Sequence, residues 1–276
     1  IKSINEHFNK LLPLLYLIIN KPILSEIEFQ KVKKSSIDLI KKDKENPFNS
    51  CFEKWRKIVY SKHPYGYNTI GNEKDVSKIT YENVLCEFKN FKMREKFIIS
   101  NNSEINGEDI ETLNQKIPKD RLVTLSYDID PMDRFDFINN NSNQTIIMIG
   151  NQTCSRKNIE YWPLKVLESY LSYGMSAALF KLFREKNGIT YDLGVYYPVR
   201  SGNAPFLVYL SVSNKKALFA FELLSTLWRD LLLNPLIDTE IFLAKEKLKG
   251  SFLMGNQSID EILNRKIQLI SYGITL

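Results

Sequence analysis

Apolar positions recur at helical spacing through the first part of the chain, and strand-like alternation dominates only later. Ile4, Phe8, Leu11, Leu15 and Ile18 keep one face over 1–20, where Pro13 is expected to break the helix or open a second one. Ser25 with Glu28 has the pattern of a capping box, and Ile27, Val32, Leu39 and Ile40 mark a helix reaching residue 44. Asn46-Pro47 is expected to end it, and a third helix follows over 50–60 with Phe52, Trp55, Ile58 and Val59 on its apolar face. A Pro- and Gly-bearing loop over 62–80 leads to Thr80, the cap of a helix running to residue 91. A strand over 97–100 and a helix over 107–116 complete this half.

The stretch 118–120 is the expected boundary between two units, 1–118 and 121–276. Beyond it 122–127 alternates as a strand, the Asn-rich 139–143 reads as a loop or hairpin turn, and 144–150 is an apolar strand. A helix over 159–172 carries Trp162, Val166, Leu167 and Leu171. A strand over 206–212 and helices over 215–232, 239–254 and 259–270 follow. Strands interleaved with long helices predict an α+β sandwich, a mostly antiparallel sheet covered by helices.

The stretch 173–197, YGMSAALFKLFREKNGITYDLGVYY, reads as helix, turn, strand. Leu179, Phe180 and Phe183 share a helical face, Arg184 and Lys186 fall in the last turn, and Gly188 ends the helix. Tyr191, Leu193, Val195 and Tyr197 then alternate with Asp192, Gly194 and Tyr196 as a half-buried strand. Arg184 and Tyr191 therefore flank one turn and are expected to point into one space.

Composition narrows the classes of function. With 276 residues, 43% of them apolar and 25% charged, the chain is an ordinary globular protein able to bury one large core or two modest ones. The net charge of +6 is scattered, and the dense basic stretch 31–44 is expected to be a solvated helix face, so no nucleic-acid partner is expected. Three separated cysteines, Cys51, Cys86 and Cys154, support neither a disulfide framework nor a thiolate metal site. The two histidines, His7 and His63, form no HxxEH pair, and neither is assigned a metal. No leader is legible from Ile1, and 8–19 is too short and polar to span a bilayer, which takes about 20 residues. No membrane insertion is expected, and the cytoplasm is favoured.

The residues GMSAALFKLFREKNGITYDLG resemble the signature of the non-catalytic unit in zinc metallopeptidases of the insulinase and pitrilysin kind, including mitochondrial processing peptidase. The loop beginning HPYG at His63, and the order of elements around it, are similar to the rear part of that family's first unit. The resemblance implies metallohydrolase-like α/β units: 1–118 as the rear of a first unit whose front lies upstream of Ile1, and 121–276 as a second, non-catalytic unit that continues past Leu276. It also implies that Arg184 and Tyr191 are substrate-binding residues. Family zinc is held by HxxEH on an earlier helix and by a Glu on a later one. That Glu aligns here with Leu39, or with Asp38 one residue off. Leu39 is read as core, so no catalytic or metal-binding residue is expected in this chain, and zinc is placed in a partner or an upstream unit.

Three functions remain open on this reading. The first is a non-catalytic subunit that lends Arg184 and Tyr191 to a peptide or protein substrate in a chamber shared with a zinc-bearing homologous subunit or second copy. On this reading the isolated chain is inactive. The second is the middle of an active zinc endopeptidase whose HxxEH precedes Ile1. The third is a scaffold subunit without a peptidase role.

Overall fold

The computed structural model describes residues 5–61, 63–93, 135–138 and 142–272. In chain order the helices are α1 (Asn5–Asn20), α2 (Glu26–Glu45), α3 (Pro47–Val59), α4 (Glu73–Lys78) and α5 (Tyr81–Met93). Strand β1 (Gln144–Gln152) and helix α6 (Tyr161–Ser172) follow, then a π-helix (Phe180–Lys186) and the strands β2 (Thr190–Tyr196) and β3 (Pro205–Ser213). The described chain closes with α7 (Ala217–Leu233), α8 (Asp238–Met254) and α9 (Ile259–Ser271). The strands expected over 97–100 and 122–127 and the helix over 107–116 lie outside the described residues, as does the expected boundary at 118–120.

Two compact units result. One comprises 1–42, 69–122 and 259–276, and the other 43–68 and 123–258. In the first, Lys33 Nζ donates to the carbonyls of Ser77 and Ile79, both at 2.7 Å, satisfying acceptors that α4 leaves open at its C-terminal end. The Tyr81 hydroxyl donates to the Leu24 carbonyl at 2.8 Å, and its ring lies 6.0 Å from that of Phe29. Helix α1 passes through Pro13 without ending, at the cost of one backbone hydrogen bond.

The second unit is built on an antiparallel sheet of order β1-β3-β2. β3 is central, and its sequence PFLVYLSVS is nearly continuous in apolar residues because both of its faces are covered. Phe206, Val208, Leu210 and Val212 point to one face, where with Leu171, Leu179, Phe183, Ala220 and Leu224 they form the larger core. Each such side chain contributes roughly 1.5–3 kcal/mol by leaving water. On the opposite face Leu207 packs with Trp55 and Tyr60, supported by Phe52, Met148 and Tyr196. Helix α3 is what covers that face. The Phe48 ring meets Tyr209 edge-on at 5.1 Å, and Phe52 meets Tyr196 edge-on at 5.3 Å.

Asn46-Pro47 follows the end of α2 at Glu45, as expected, and also opens α3. The Asn46 side chain accepts from the Phe48 N–H at 2.9 Å and the Asn49 N–H at 3.4 Å, and Pro47 takes the first helical position, where no N–H is needed. Downstream, the Tyr60 hydroxyl donates to the Asn203 carbonyl at 2.8 Å, and Gly202 N–H donates to the Tyr65 hydroxyl at 3.3 Å. The loop after α3 is thereby tied to the β2–β3 connection.

Candidate functional site

The connection from α6 to β2 is made of two irregular pieces. Ala177, Leu179 and Phe183 are fully buried and anchor the helical part in the larger core. Between them the backbone winds as a π-helix over Phe180–Lys186, where an α-helix was expected. The π turn holds one more residue than the α turn, and such insertions occur frequently at functional sites. The exit is closed by Ile189 N–H donating to the Phe183 carbonyl at 2.9 Å. Gly188 makes that turn possible with φ of 53°, a left-handed conformation that costs other residues about 1–2 kcal/mol. The Asn187 side-chain amide donates to the Leu182 carbonyl at 2.8 Å, and Lys216 Nζ to the Gly188 carbonyl at 3.2 Å.

Arg184 lies on the exposed side of the π-helix. Its guanidinium carbon sits 5.1 Å from the centroid of the Phe180 ring. Among the described residues it has no hydrogen-bond or ion-pair partner, so its planar N–H donors are unspent. Two paired lysines of the same unit provide a contrast. Lys165 donates to Glu168 at 2.7 Å and to the Tyr197 carbonyl at 2.7 Å, and Lys249 pairs with Glu246.

Tyr191 occupies a β-bulge. Thr190 pairs with Val212 and Asp192 with Ser211, so Tyr191 is the extra residue of β2 and has no opposite number on β3. Alternation grouped it with Leu193 and Val195. The bulge turns it out instead, leaving it 82% exposed, while Leu193 and Val195 keep to the core. The buried Thr190 hydroxyl clamps the irregularity, lying 2.8 Å from the carbonyl oxygens of both Asp192 and Ser211 and sharing its one proton between them. Arg184 and Tyr191 thus stand at the two ends of one short connection, Arg184 exposed on the π-helix and Tyr191 exposed at the bulge. Neither donates to the other. Thr190 and the Phe180 ring are the contributors that sequence reasoning missed. An aromatic ring four residues before an exposed arginine was the only signal for the second.

A polar group holds α6 to the far end of β2, through Lys165, Glu168 and Tyr173. Burial pushes the Glu168 carboxyl above its ordinary range, against the opposing pull of the Lys165 ammonium. Burial, with Glu168 alongside, pushes the Tyr173 hydroxyl up to about 12.

The described residues do not fit a zinc site. Leu39 offers no lone pair, and it is not core as expected: it is 54% exposed, whereas its neighbour Ile40 is buried. The helix turns Ile40 inward and Leu39 out. His63 is buried, with Nδ1 accepting from the Tyr65 N–H at 3.0 Å and its ring 4.3 Å from that of Tyr65, so this nitrogen caps the HPYG turn. No group of three or more His, Cys, Asp or Glu able to hold a metal occurs among the described residues. No helix among them is long and apolar enough to cross a membrane.

Comparison with known proteins agrees with this architecture. The family described as Peptidase M16 inactive domain matches residues 97–248, more than half of the chain. The chain belongs to that family, the insulinase-like group that the 173–197 stretch resembles. It is 24% identical over 266 residues to an uncharacterized zinc protease of Rickettsia felis, covering 94% of this chain and 63% of that protein. An uncharacterized zinc protease of Mycobacterium leprae is 20% identical over 234 residues, covering 80% of this chain and 52% of that protein. The chain therefore spans less than two thirds of the length of these relatives. Among solved structures, a peptidase M16 inactive domain from Pseudomonas fluorescens has a TM-score of 0.77 at 21% identity, covering 97% of this chain and 66% of that one. A protease from Helicobacter pylori has a TM-score of 0.75 at 15% identity, covering 98% and 68%. These likenesses establish the α+β fold.

Proposed function

We propose that this chain is the non-catalytic part of an insulinase-type zinc peptidase and that Arg184 and Tyr191 bind the substrate peptide. In this reading 1–118 derives from the rear of a first unit and 121–276 from a second. The peptide lies in a chamber shared with a zinc-bearing homologous unit, which supplies the hydrolytic chemistry. The observation that carries the reading is the presentation of Arg184 and Tyr191, one exposed on the π-helix and the other at the β-bulge, both without hydrogen-bond partners among the described residues. A guanidinium and a phenol placed in this way suit a peptide carbonyl, or the oxyanion that forms from it when water adds.

The test uses the chain together with a homologous subunit carrying HxxEH, and measures peptide cleavage. Arg184→Ala is expected to lower kcat/KM roughly 10- to 100-fold, the scale of a hydrogen bond to a charged group. Tyr191→Phe is expected to lower it less, since only the hydroxyl is lost. Wild-type cleavage by both variants would sink the proposal.

One observation favours a second reading. The chain matches proteins named zinc proteases over 63% of the first one's length. A longer polypeptide, with HxxEH ahead of Ile1, would place zinc and this unit in one molecule. The same two variants then act in cis, and cleavage by the extended chain alone separates the two readings.

A further inference from the structure

We infer that Phe180 is a positioning residue for Arg184, its ring holding the guanidinium flat and outward so that a peptide meets donors already oriented. This rests on the reading of Arg184 as a substrate contact.

The helical part of the connection divides into residues spent on the core and residues left over. Leu179 and Phe183 are fully buried in the larger core, and Ala178 and Leu182 pack against it. Phe180 is not part of that cluster. Its half-buried ring instead lies under the Arg184 guanidinium, 5.1 Å from centroid to carbon. The two are four residues apart within the π-helix. Bonding from i to i+5 widens the turn and brings residues four apart closer to alignment along the axis than an α-helix does. The same winding that marks the site therefore brings the Arg184 guanidinium over the Phe180 ring.

Stacking uses the face of the guanidinium and leaves its in-plane N–H donors free. A long side chain held in this way loses less rotamer freedom when a ligand arrives. Incidental surface packing would have a different signature, because it would not depend on Arg184.

The test combines side-chain NMR with peptide binding, both on the full chain. The Arg184 Nε–Hε resonance is followed in the wild type, Phe180→Leu and Phe180→Trp. Binding of fluorescein-labelled insulin B chain is measured for the wild type, Phe180→Leu, Phe180→Trp, Arg184→Ala and the Phe180→Leu/Arg184→Ala double variant. We expect a ring-current shift at Hε in the wild type and Phe180→Trp that disappears in Phe180→Leu. Phe180→Leu should weaken binding roughly two- to fivefold, the scale of an exposed cation–π contact, and Phe180→Trp should restore it. In the Arg184→Ala background Phe180→Leu should have no further effect. An equal loss in both backgrounds, or an Hε resonance that Phe180→Leu does not move, overturns the positioning role while leaving Arg184 as a contact. Arg184→Ala binding as tightly as the wild type, or no binding by the wild-type chain, overturns the substrate reading and this inference with it.

Discussion

Thr190 shows how one hydroxyl can decide where a neighbouring side chain points. It is buried, and its oxygen lies within hydrogen-bonding distance of two carbonyls on either side of the bulge. Thr190→Val keeps the shape and removes the bond, so it should cost about 1 kcal/mol in urea denaturation. It should also blunt Tyr191-dependent peptide binding. Gly194 supports the same strand differently. A Cβ added there would come within 2.7 Å of the Tyr209 hydroxyl, so Gly194→Ala should destabilise by about 1–3 kcal/mol, and less in a chain that also carries Tyr209→Leu. At this scale the sequence was partly legible. Arg184 was read as a helix-end cation and is exposed there. The parting of Tyr191 from Leu193 and Val195 was not legible, because period-two alternation has no symbol for an extra residue. Nothing in TYDLG distinguishes a bulged strand from a regular one.

Among the elements, α3 and the turn after it were the hardest to place. An Asn-Pro pair reads as the end of one helix or the beginning of the next, and here it is both, since α2 stops at Glu45 and the Asn46 side chain caps α3. Asn46→Ala should therefore destabilise by about 1 kcal/mol, and Asn46→Asp should be tolerated. The π-helix was illegible for a related reason. Leu179 and Phe183 reach the core in either winding, so the apolar pattern cannot count the residues in a turn. The strands were easier. β3 was expected over 206–212 and runs from Pro205 to Ser213, since an unbroken apolar run of that length suits a strand covered on both faces. His63 gives the HPYG turn a pH dependence. Burial holds its imidazole below the ordinary 6.5, so the folded chain resists a proton that the unfolded chain accepts. Its contribution to stability is complete above pH 6.5 and is lost as pH falls from there through the lowered folded value. The urea midpoint should drop across that window in the wild type, and His63→Asn, which retains an acceptor for the Tyr65 N–H, should flatten the drop.

At the scale of the whole molecule, the chemistry missing from the described residues matters as much as the chemistry present. No group of three or more His, Cys, Asp or Glu able to hold a metal occurs among the described residues, and elemental analysis after dialysis against trace zinc should find no stoichiometric metal. About one zinc per chain would require a donor set that the described residues do not provide. The fold class was legible because alternating strands and long helices admit few packings. The grouping of 43–68 with 123–258 was not. The aromatic spacing of α3 announces a buried face without naming what buries it. Deleting 43–68 should leave Leu207, Met148 and Tyr196 bare, and the remaining chain should bind a hydrophobic dye and lose its cooperative unfolding transition.

The docking of α3 on the sheet also has a temporal side. Tyr60 and its partner Asn203 are separated by 143 residues. A ribosome adding 5–20 residues per second needs roughly 7–30 s to deliver the second after the first. During that interval Phe48, Phe52 and Trp55 have left the tunnel while the strand that will cover them has not been translated. Chaperone capture of the nascent chain should concentrate in this window, and release should coincide with the emergence of β3.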